Sequence, residues 1–292
     1  MTTGAQTVPQ LLELIRPDQA LCAFNVENFD TLKPALWAAA DVGCPVVLSF
    51  TVPAARYLGY EPTARIVGLL AAHYDVRYAL HLDHCESADE IRQAVGDGFT
   101  SANFLDEGAV EVGRYLPTAR ALHREFAGRA SLEFVLGTLG HIDDTHRHGT
   151  AIGTEHDTPP LDVSVARIAA FAQACEPDIV GFECGSLHGM RERGRELDLD
   201  LIHGVSRSTG LPIVLHGSSG VLNEALQAGI DAGVRKVNIE TAIRSTYMDT
   251  VRRTVAGDGD GARKPRYLTR ATDAALREAY VGFLTSYTLR EI

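Results

Sequence analysis

The sequence predicts an α/β fold in which eight parallel strands close into a (β/α)8 barrel, a TIM barrel, as a single domain over residues 1–292. The main observation is that short apolar, β-branched runs alternate with helical stretches to the end of the chain. No region of different composition interrupts this alternation, which favours a closed parallel barrel. An open doubly wound sheet is the alternative, but the Gly-rich dinucleotide-binding fingerprint expected after its first strand is absent.

Eight runs are the strand candidates, and they lie at residues 21–26, 45–50, 78–83, 100–105, 131–136, 178–184, 211–215 and 235–239. Helical periodicity marks the stretches between them, among which are residues 31–42, 88–95, 112–126, 163–175 and 223–232. Gly43, Gly98, Gly210 and Gly233 stand just before the next strand, and glycine suits the left-handed residue that ends many helices. A helical extension after Gly261 is predicted to pack outside the barrel or against a partner subunit.

The charge and the cysteine content limit the partners and the compartment. A net charge of −11 and a pI near 5.4 argue against nucleic acid or an anionic membrane as a partner, although a locally positive pocket can still bind a phosphorylated substrate. Five scattered cysteines without a CxxC pair indicate reduced thiols rather than a disulfide framework. The chain begins without signal-peptide features and has no apolar run of membrane-spanning length. We therefore expect a cytoplasmic protein.

Three histidines follow predicted strands at equivalent positions. His84 comes with Asp83 at the end of the third strand, His188 follows the sixth, and His216 follows the seventh. Because the carboxyl ends of parallel barrel strands meet at one rim, we expect these side chains to converge. Three imidazoles leave one coordination position open, which is the arrangement of a catalytic zinc site. The sequence therefore predicts a metal centre, whereas His73, His81, His123 and His203 are expected to have structural roles.

A small, Gly-rich segment follows the seventh strand. It contains Gly217, Ser218 and Ser219 and is predicted to open a helix. Exposed backbone N–H groups and the positive end of a helix favour a bound anion. Barrels frequently bind phosphate beside the seventh and eighth strands, so this segment is a candidate phosphate site.

Four segments together resemble one known family. LHLDH (80–84), GSLHG (185–189), LPIVLHGSSGV (211–221) and VRKVNIET (234–241) resemble the class II, zinc-dependent fructose-bisphosphate aldolases, a family that includes tagatose-bisphosphate and related ketose-phosphate aldolases. The resemblance implies one zinc ion per chain and leaves room for a monovalent cation. It also implies cleavage of a ketose phosphate to dihydroxyacetone phosphate and an aldehyde, the reverse condensation, and a homodimer or homotetramer.

The resemblance also assigns roles to individual residues. It implies that His84, His188 and His216 hold the zinc, and that Asp83 handles the proton on the aldehyde-derived oxygen. Substrate and phosphate contacts are implied for a larger set, namely Asn25, Gly189, Gly217, Ser218, Ser219, Asn238, Glu240 and Thr241. Glu240 stands where the family commonly has Asp.

Several positions depart from the family pattern. Val135 replaces the second Glu of E-x-E-L-G, so an alternative metal ligand is lost. The long polar segment 137–160 is predicted to be a loop over the site, and on it Asp143 matches the glutamate that acts as base on the donor carbon, with Asp144 as the alternative. Arg191 or Arg193 stands near the family's lysine. These changes surround the substrate rather than the zinc, so we expect retained metal chemistry and an altered substrate.

Two other functions remain open at this point. One is a zinc hydrolase on the same fold, but the early H-x-H pattern of barrel hydrolases is missing. The other is a non-catalytic sugar-phosphate-binding barrel derived from an aldolase, which the changes at Val135 and Asp143 keep open.

Overall fold

The computed structural model describes residues 4–104, 112–136, 163–186, 194–257 and 259–289. Within them, the strands form a closed barrel in sequence order, and neighbouring strands are parallel. The strands are β1 Leu21–Asn25, β2 Val46–Thr51, β3 Tyr78–Cys85, β4 Ser101–Phe104, β5 Ser131–Leu136, β6 Ile179–Phe182, β7 Ile213–Leu215 and β8 Val234–Ile239. The predicted TIM barrel is confirmed, and each predicted strand boundary is correct to within two residues.

Helices cover the outside of the barrel and one end of it. They are α1 Val8–Leu12, α2 Phe29–Val42, α3 Val52–Leu58, α4 Tyr60–Tyr74, α5 Ala88–Gly96, α6 Val112–Phe126, α7 Val165–Cys175, α8 Leu199–Thr209, α9 Asn223–Ala232, α10 Thr241–Ala256 and α11 Pro265–Phe283. Gly43 and Gly210 end α2 and α8 in the left-handed conformation, with φ of 73° and 67°. Both therefore play the helix-ending role predicted for them.

The end of the barrel at the strand amino termini is filled by apolar side chains. The short helix α1 begins with a capping box between Thr7 and Gln10. Its Val8 and Leu11 are fully buried and pack against inward-facing apolar residues of the barrel, Leu21, Val47, Ala79, Ile179 and Val214. The backbone N–H of Val8 also donates to Ser131 Oγ at 3.2 Å. This end of the barrel interior is therefore closed to water, and chemistry is left to the other end.

The C-terminal extension packs on the outside of the barrel, which is one of the two predicted arrangements. Helix α11 contacts α2 and α10. Tyr280 is fully buried, donates a hydrogen bond to the carbonyl of Thr31 at 3.0 Å, and places its ring edge-on to Phe24 with centroids 4.5 Å apart. The segment after α11 is bonded to the residue that precedes β1, because the N–H of Ala20 donates to the carbonyl of Tyr287. The extension therefore secures the first strand.

The cysteines and the helices agree with the composition. Cys22, Cys44, Cys85, Cys175 and Cys184 are all free and buried, as predicted, and burial raises the pKa of the Cys44 thiol to about 12. Within the part of the chain that the structure describes, no helix has the length and apolar character needed to cross a membrane.

Candidate functional site

The middle of the barrel interior is polar rather than apolar. Fully buried polar side chains point inward from β2 to β5 and from β8, and they are Ser49, His81, Ser101, Asn103, Glu133 and Lys236. Buried polar groups are costly unless they are hydrogen-bonded, so a polar layer inside a barrel needs an internal network. This layer lies directly below the residues at the strand carboxyl ends.

Asp83, His84 and His216 come together at the carboxyl ends of β3 and β7. Their potential metal-ligating atoms all lie within 4.8 Å of one another. The two imidazole rings are nearly perpendicular, with centroids 5.4 Å apart. His84 has a φ of 53°, an uncommon value for a residue with a side chain, and the β3–β4 register shifts between Leu82 and Cys85. This irregularity turns the end of β3 so that consecutive side chains, Asp83 and His84, both contribute to one cluster.

Asp83 is held as an ionised carboxylate. Asn25 Nδ2 donates to Asp83 Oδ2 at 2.8 Å, and His81 Nε2 lies 3.7 Å from Oδ1. Burial opposes ionisation, but the neighbouring His84 and His81 rings more than offset it, and the pKa of Asp83 lies well below its usual range. An ionised carboxylate is therefore held next to the histidine pair.

His216 rests on a second buried carboxylate that the sequence reading did not identify. His216 Nε2 lies 2.7 Å from Glu133 Oε1, and Lys236 Nζ donates to Glu133 Oε2, also at 2.7 Å. Asn103 Nδ2 donates to Oε1 at 2.9 Å. Burial opposes ionisation of Glu133, but Lys236 and His216 lower the pKa of Glu133 below its ordinary value. The Glu133 carboxylate of β5 therefore bonds to side chains from β4 and β8 and to the histidine that follows β7.

The Gly-rich segment after β7 forms a tight turn. Gly217 is left-handed with a φ of 65°, and residues Ser218–Gly220 form a single 3₁₀ turn. The helix that follows begins at Asn223, as predicted, so Gly217, Ser218 and Ser219 lie before its first turn rather than at its N-terminus. The backbone N–H of residue 194 donates to Gly220, which places the chain that follows β6 beside this turn.

The end of β8 completes this part of the rim. Ser218 Oγ donates to the carbonyl of Asn238 at 2.5 Å, and Asn238 Nδ2 lies 3.3 Å from His216 Nδ1. Glu240 accepts a hydrogen bond from Arg244 at 2.9 Å, and Thr241 begins α10 as a buried residue. The Ser218 hydroxyl and the Glu240 carboxylate are therefore both engaged within the protein.

All predicted site residues in the described part of the chain line one pocket. It is formed by Asn25, Asp83, His84, His216, Gly217, Ser218, Ser219, Asn238, Glu240 and Thr241. His188, Gly189 and Asp143 lie outside the described residues, as do Asp144, Arg191 and Arg193. The functional roles predicted for these residues remain predictions, but the pocket that the strand-end rule requires is present.

The network of Glu133 and Lys236 that supports the site was not predicted from the sequence. His81, for which a structural role was expected, is fully buried and bonds Ser101 Oγ through Nδ1 at 2.8 Å, and it also lies beside Asp83. Glu133 and Lys236 carried a usable signal, because each is a charged residue within a predicted buried strand. Two such residues of opposite sign indicate a buried ion pair.

The fold and the pocket are those of a TIM-barrel enzyme with its chemistry at the strand carboxyl ends. The family model described as "Fructose-bisphosphate aldolase class-II" matches residues 9–286. The chain therefore belongs to the class II fructose-bisphosphate aldolase family and is an aldolase, a carbon–carbon lyase.

Solved structures of similar fold agree with this assignment. The YdjI aldolase from Escherichia coli K12 aligns with a TM-score of 0.75 at 19% identity, over 96% of this chain and 94% of that one. A putative fructose-1,6-biphosphate aldolase from Coccidioides immitis gives 0.81 at 21% identity, over 96% and 95%. The fructose-bisphosphate aldolase from Campylobacter jejuni gives 0.74 at 19% identity, over 97% and 95%. At these identities the alignments establish the fold.

Gly185, which precedes the segment that carries His188, should tolerate no side chain. It has a φ of 103°, and an added Cβ would lie 2.5 Å from the carbonyl oxygen of Glu196. We expect Gly185→Ala to lower the free energy of unfolding for two reasons. A side chain at positive φ costs about 1–2 kcal/mol, and the overpacking costs about 1–3 kcal/mol more. Gly210→Ala is the matched control, because Gly210 is left-handed but has open space around its Cβ position. Urea unfolding measures both, and equal losses would contradict the steric account.

Proposed function

We propose that this aldolase depends on zinc and cleaves or forms a carbon–carbon bond in a ketose phosphate, with dihydroxyacetone phosphate as the donor. The observation that carries the proposal is the cluster of Asp83, His84 and His216, whose ligand-type atoms lie within 4.8 Å of one another at the barrel mouth. Membership of the class II family supports the same chemistry.

The residues present suit a zinc ion. Imidazole nitrogens are preferred zinc ligands, and His84 and His216 supply two of them, with Asp83 beside them. His188, predicted from the sequence as the third imidazole, would complete the set and leave a position open for substrate. When bound, zinc would supply a Lewis acid that polarises the donor carbonyl and stabilises the charge that develops as the carbon–carbon bond breaks.

Asp83 is the proposed acid–base residue for the aldehyde half of the substrate. Its carboxylate is fixed by Asn25 at 2.8 Å and stands next to His84. In the cleavage direction an ionised carboxylate accepts the proton of the hydroxyl that becomes the aldehyde oxygen, and in condensation it returns that proton. The proton on the donor carbon is assigned to Asp143, with Asp144 as the alternative, and both lie outside the described residues.

The phosphate of the donor is proposed to sit at the β7–β8 side of the pocket. Gly217 presents its backbone without side-chain bulk, while Ser219 and Thr241 bring hydroxyl groups to the same pocket. Gly189 is added to this set from the sequence. Backbone N–H groups in a tight turn suit an anion, even though the 3₁₀ turn here is too short to act through a helix dipole.

We also propose a cytoplasmic homodimer or homotetramer that acts on a small sugar phosphate. Five buried free thiols agree with a reducing compartment. Tyr57 and Leu69, on α3 and α4, are 87% and 73% exposed, and apolar exposure of this kind agrees with a contact between subunits.

Metal binding is the first test. The purified protein should hold about one zinc per chain, and His216→Ala should lose most of it, because one of the three imidazole ligands is gone. His123→Ala is the matched control, since His123 is a half-buried histidine that lies 3.8 Å from Asp178 and away from the pocket. Elemental analysis with retro-aldol activity is the measurement. Full zinc occupancy in His216→Ala would rule out the assigned centre.

Asp83 can be tested as an acid–base residue. We expect Asp83→Ala to retain zinc and to lower kcat by roughly 10²–10⁴-fold, the usual range for loss of a general acid or base. Turnover and metal content are measured on the same preparation. If the variant instead loses zinc and regains activity when zinc is added back, Asp83 acts by orienting His84 and the proton role is wrong.

The donor phosphate can be tested by comparing dihydroxyacetone phosphate with dihydroxyacetone. Thr241→Val should lower kcat/KM about 10–100-fold with the phosphorylated donor, as expected for a lost hydrogen bond to a charged group, and should leave the unphosphorylated donor unaffected. Thr246→Val is the matched control on the same helix, because its hydroxyl donates within the helix to Ala242. Equal kcat/KM of the wild type for the two donors would remove the phosphate site and leave the metal proposal intact.

A further inference from the structure

We propose that Glu133, held in place by Lys236, is a positioning residue that fixes the tautomer of His216 and so makes Nδ1 the nitrogen that faces the metal. The inference rests on the proposed function, because it takes His216 as a metal ligand. It goes further by assigning a task to two buried residues for which neither the strand-end rule nor the family resemblance gave a role.

The tautomer follows from the chemistry of the partners. An ionised carboxylate only accepts hydrogen bonds, so the His216 Nε2 that lies 2.7 Å from Glu133 Oε1 must carry the hydrogen. The lone pair of a neutral imidazole is then on Nδ1. The amide nitrogen of Asn238, a donor, lies 3.3 Å from that Nδ1, which agrees with Nδ1 as the acceptor. Metal ligands need this kind of fixed second nitrogen, because it sets both the tautomer and the ring orientation.

Lys236 fixes the direction of the carboxylate. Its ammonium is fully buried and donates to Glu133 Oε2 at 2.7 Å, while Asn103 donates to Oε1 at 2.9 Å. Both carboxylate oxygens are therefore held from other strands, and Oε1 is aimed at His216. Because β5 and β8 are not neighbours in the barrel, this ion pair crosses the interior.

Stability is a poor explanation for this pair. Replacing a buried ion pair by well-packed apolar residues is often neutral or stabilising, since the cost of removing two charges from water offsets their attraction. A task at the site accounts for it better. The positive charge of Lys236 also cancels that of Glu133, so His216 gains a strong acceptor while the pair adds no net charge below the metal ligands.

The test uses an amide in place of the carboxylate. In Glu133→Gln the Lys236 ammonium can accept nothing, so it takes the amide oxygen and turns the amide N–H groups toward His216. Asn103, which donates to the same position in the wild type, can rotate its own amide so that its oxygen, which has no partner, accepts there. His216 Nε2 must then act as the acceptor, the hydrogen moves to Nδ1, and the metal-facing lone pair is lost. Adding Lys236→Met frees the amide to rotate, so that its oxygen again accepts from Nε2. The double variant should therefore recover what the single variant loses.

Two measurements report the outcome on the full-length protein. Nitrogen-15 NMR of histidine-labelled, metal-free protein gives the His216 tautomer, with the signal assigned by its absence in His216→Ala. Competition with a chelator gives the zinc affinity. We expect Glu133→Gln to carry the hydrogen on Nδ1 and to bind zinc roughly 10–100-fold more weakly, and the double variant to return to Nε2–H with near wild-type affinity. Asp178→Asn is the control, because it removes a carboxylate that lies beside another histidine, His123. It should change neither the His216 tautomer nor the zinc affinity.

The possible results separate this proposal from the function on which it rests. Wild-type zinc affinity and an Nε2–H tautomer in Glu133→Gln would overturn the positioning role while leaving the metal centre in place. A wild-type protein that binds no zinc would overturn both. If Glu133→Gln fails to fold, the double variant decides, because weak zinc binding or an Nδ1–H tautomer there would also overturn the proposal.

Discussion

The buried ion pair between Glu133 and Lys236 is the constraint on which the arrangement of the site depends. Neither charge can be left without partners inside the barrel, because an uncompensated buried charge costs several kcal/mol, on the order of 3–5. Each partner that satisfies this requirement belongs to another strand: Asn103 to β4, His216 to the end of β7. The requirement for satisfied charges therefore determines which residues can stand next to one another at the barrel mouth.

The barrel interior is layered, and each layer has a physical reason. At the closed end, Val8 and Leu11 of α1 bury apolar surface. Burial of apolar surface stabilises the fold by roughly 25 cal/mol for each Å² removed from water. The middle layer is polar, and its hydrogen bonds centre on Glu133 and on the pair of His81 and Ser101. The open end holds Asp83 and the two histidines, where the local environment keeps a carboxylate ionised. A pocket with a rigid polar floor and a dry base can hold donors and acceptors in fixed directions, which catalysis by preorganised groups requires.

Much of the fold and part of the site could be predicted because they depend on local sequence patterns. Apolar, β-branched runs gave the strands, and the rule that parallel strands end at one rim brought Asp83, His84 and His216 together. The pairing of Glu133 with Lys236 depends on barrel closure, which places side chains from non-neighbouring strands face to face. Helix α1 was missed because five residues are too few for a periodic signal, although its capping box at Thr7 and Gln10 is visible in the sequence.

The two sides of the mouth differ in chemistry. Polar residues line it at the ends of β1, β3, β7 and β8. On β5 and β6 the inward positions near the same level are Val135 and Gly181, and an added Cβ at Gly181 would lie 2.8 Å from a methyl group of Val135. The Val135 side chain packs against Gly181, so apolar packing stands where the family has its second glutamate.

The acidic side chains of the described barrel interior are Glu133 and Asp83. Lys236 neutralises Glu133, and Asp83 faces the histidine pair. The negative charge of the interior that no lysine neutralises is therefore concentrated at Asp83, beside the histidine pair.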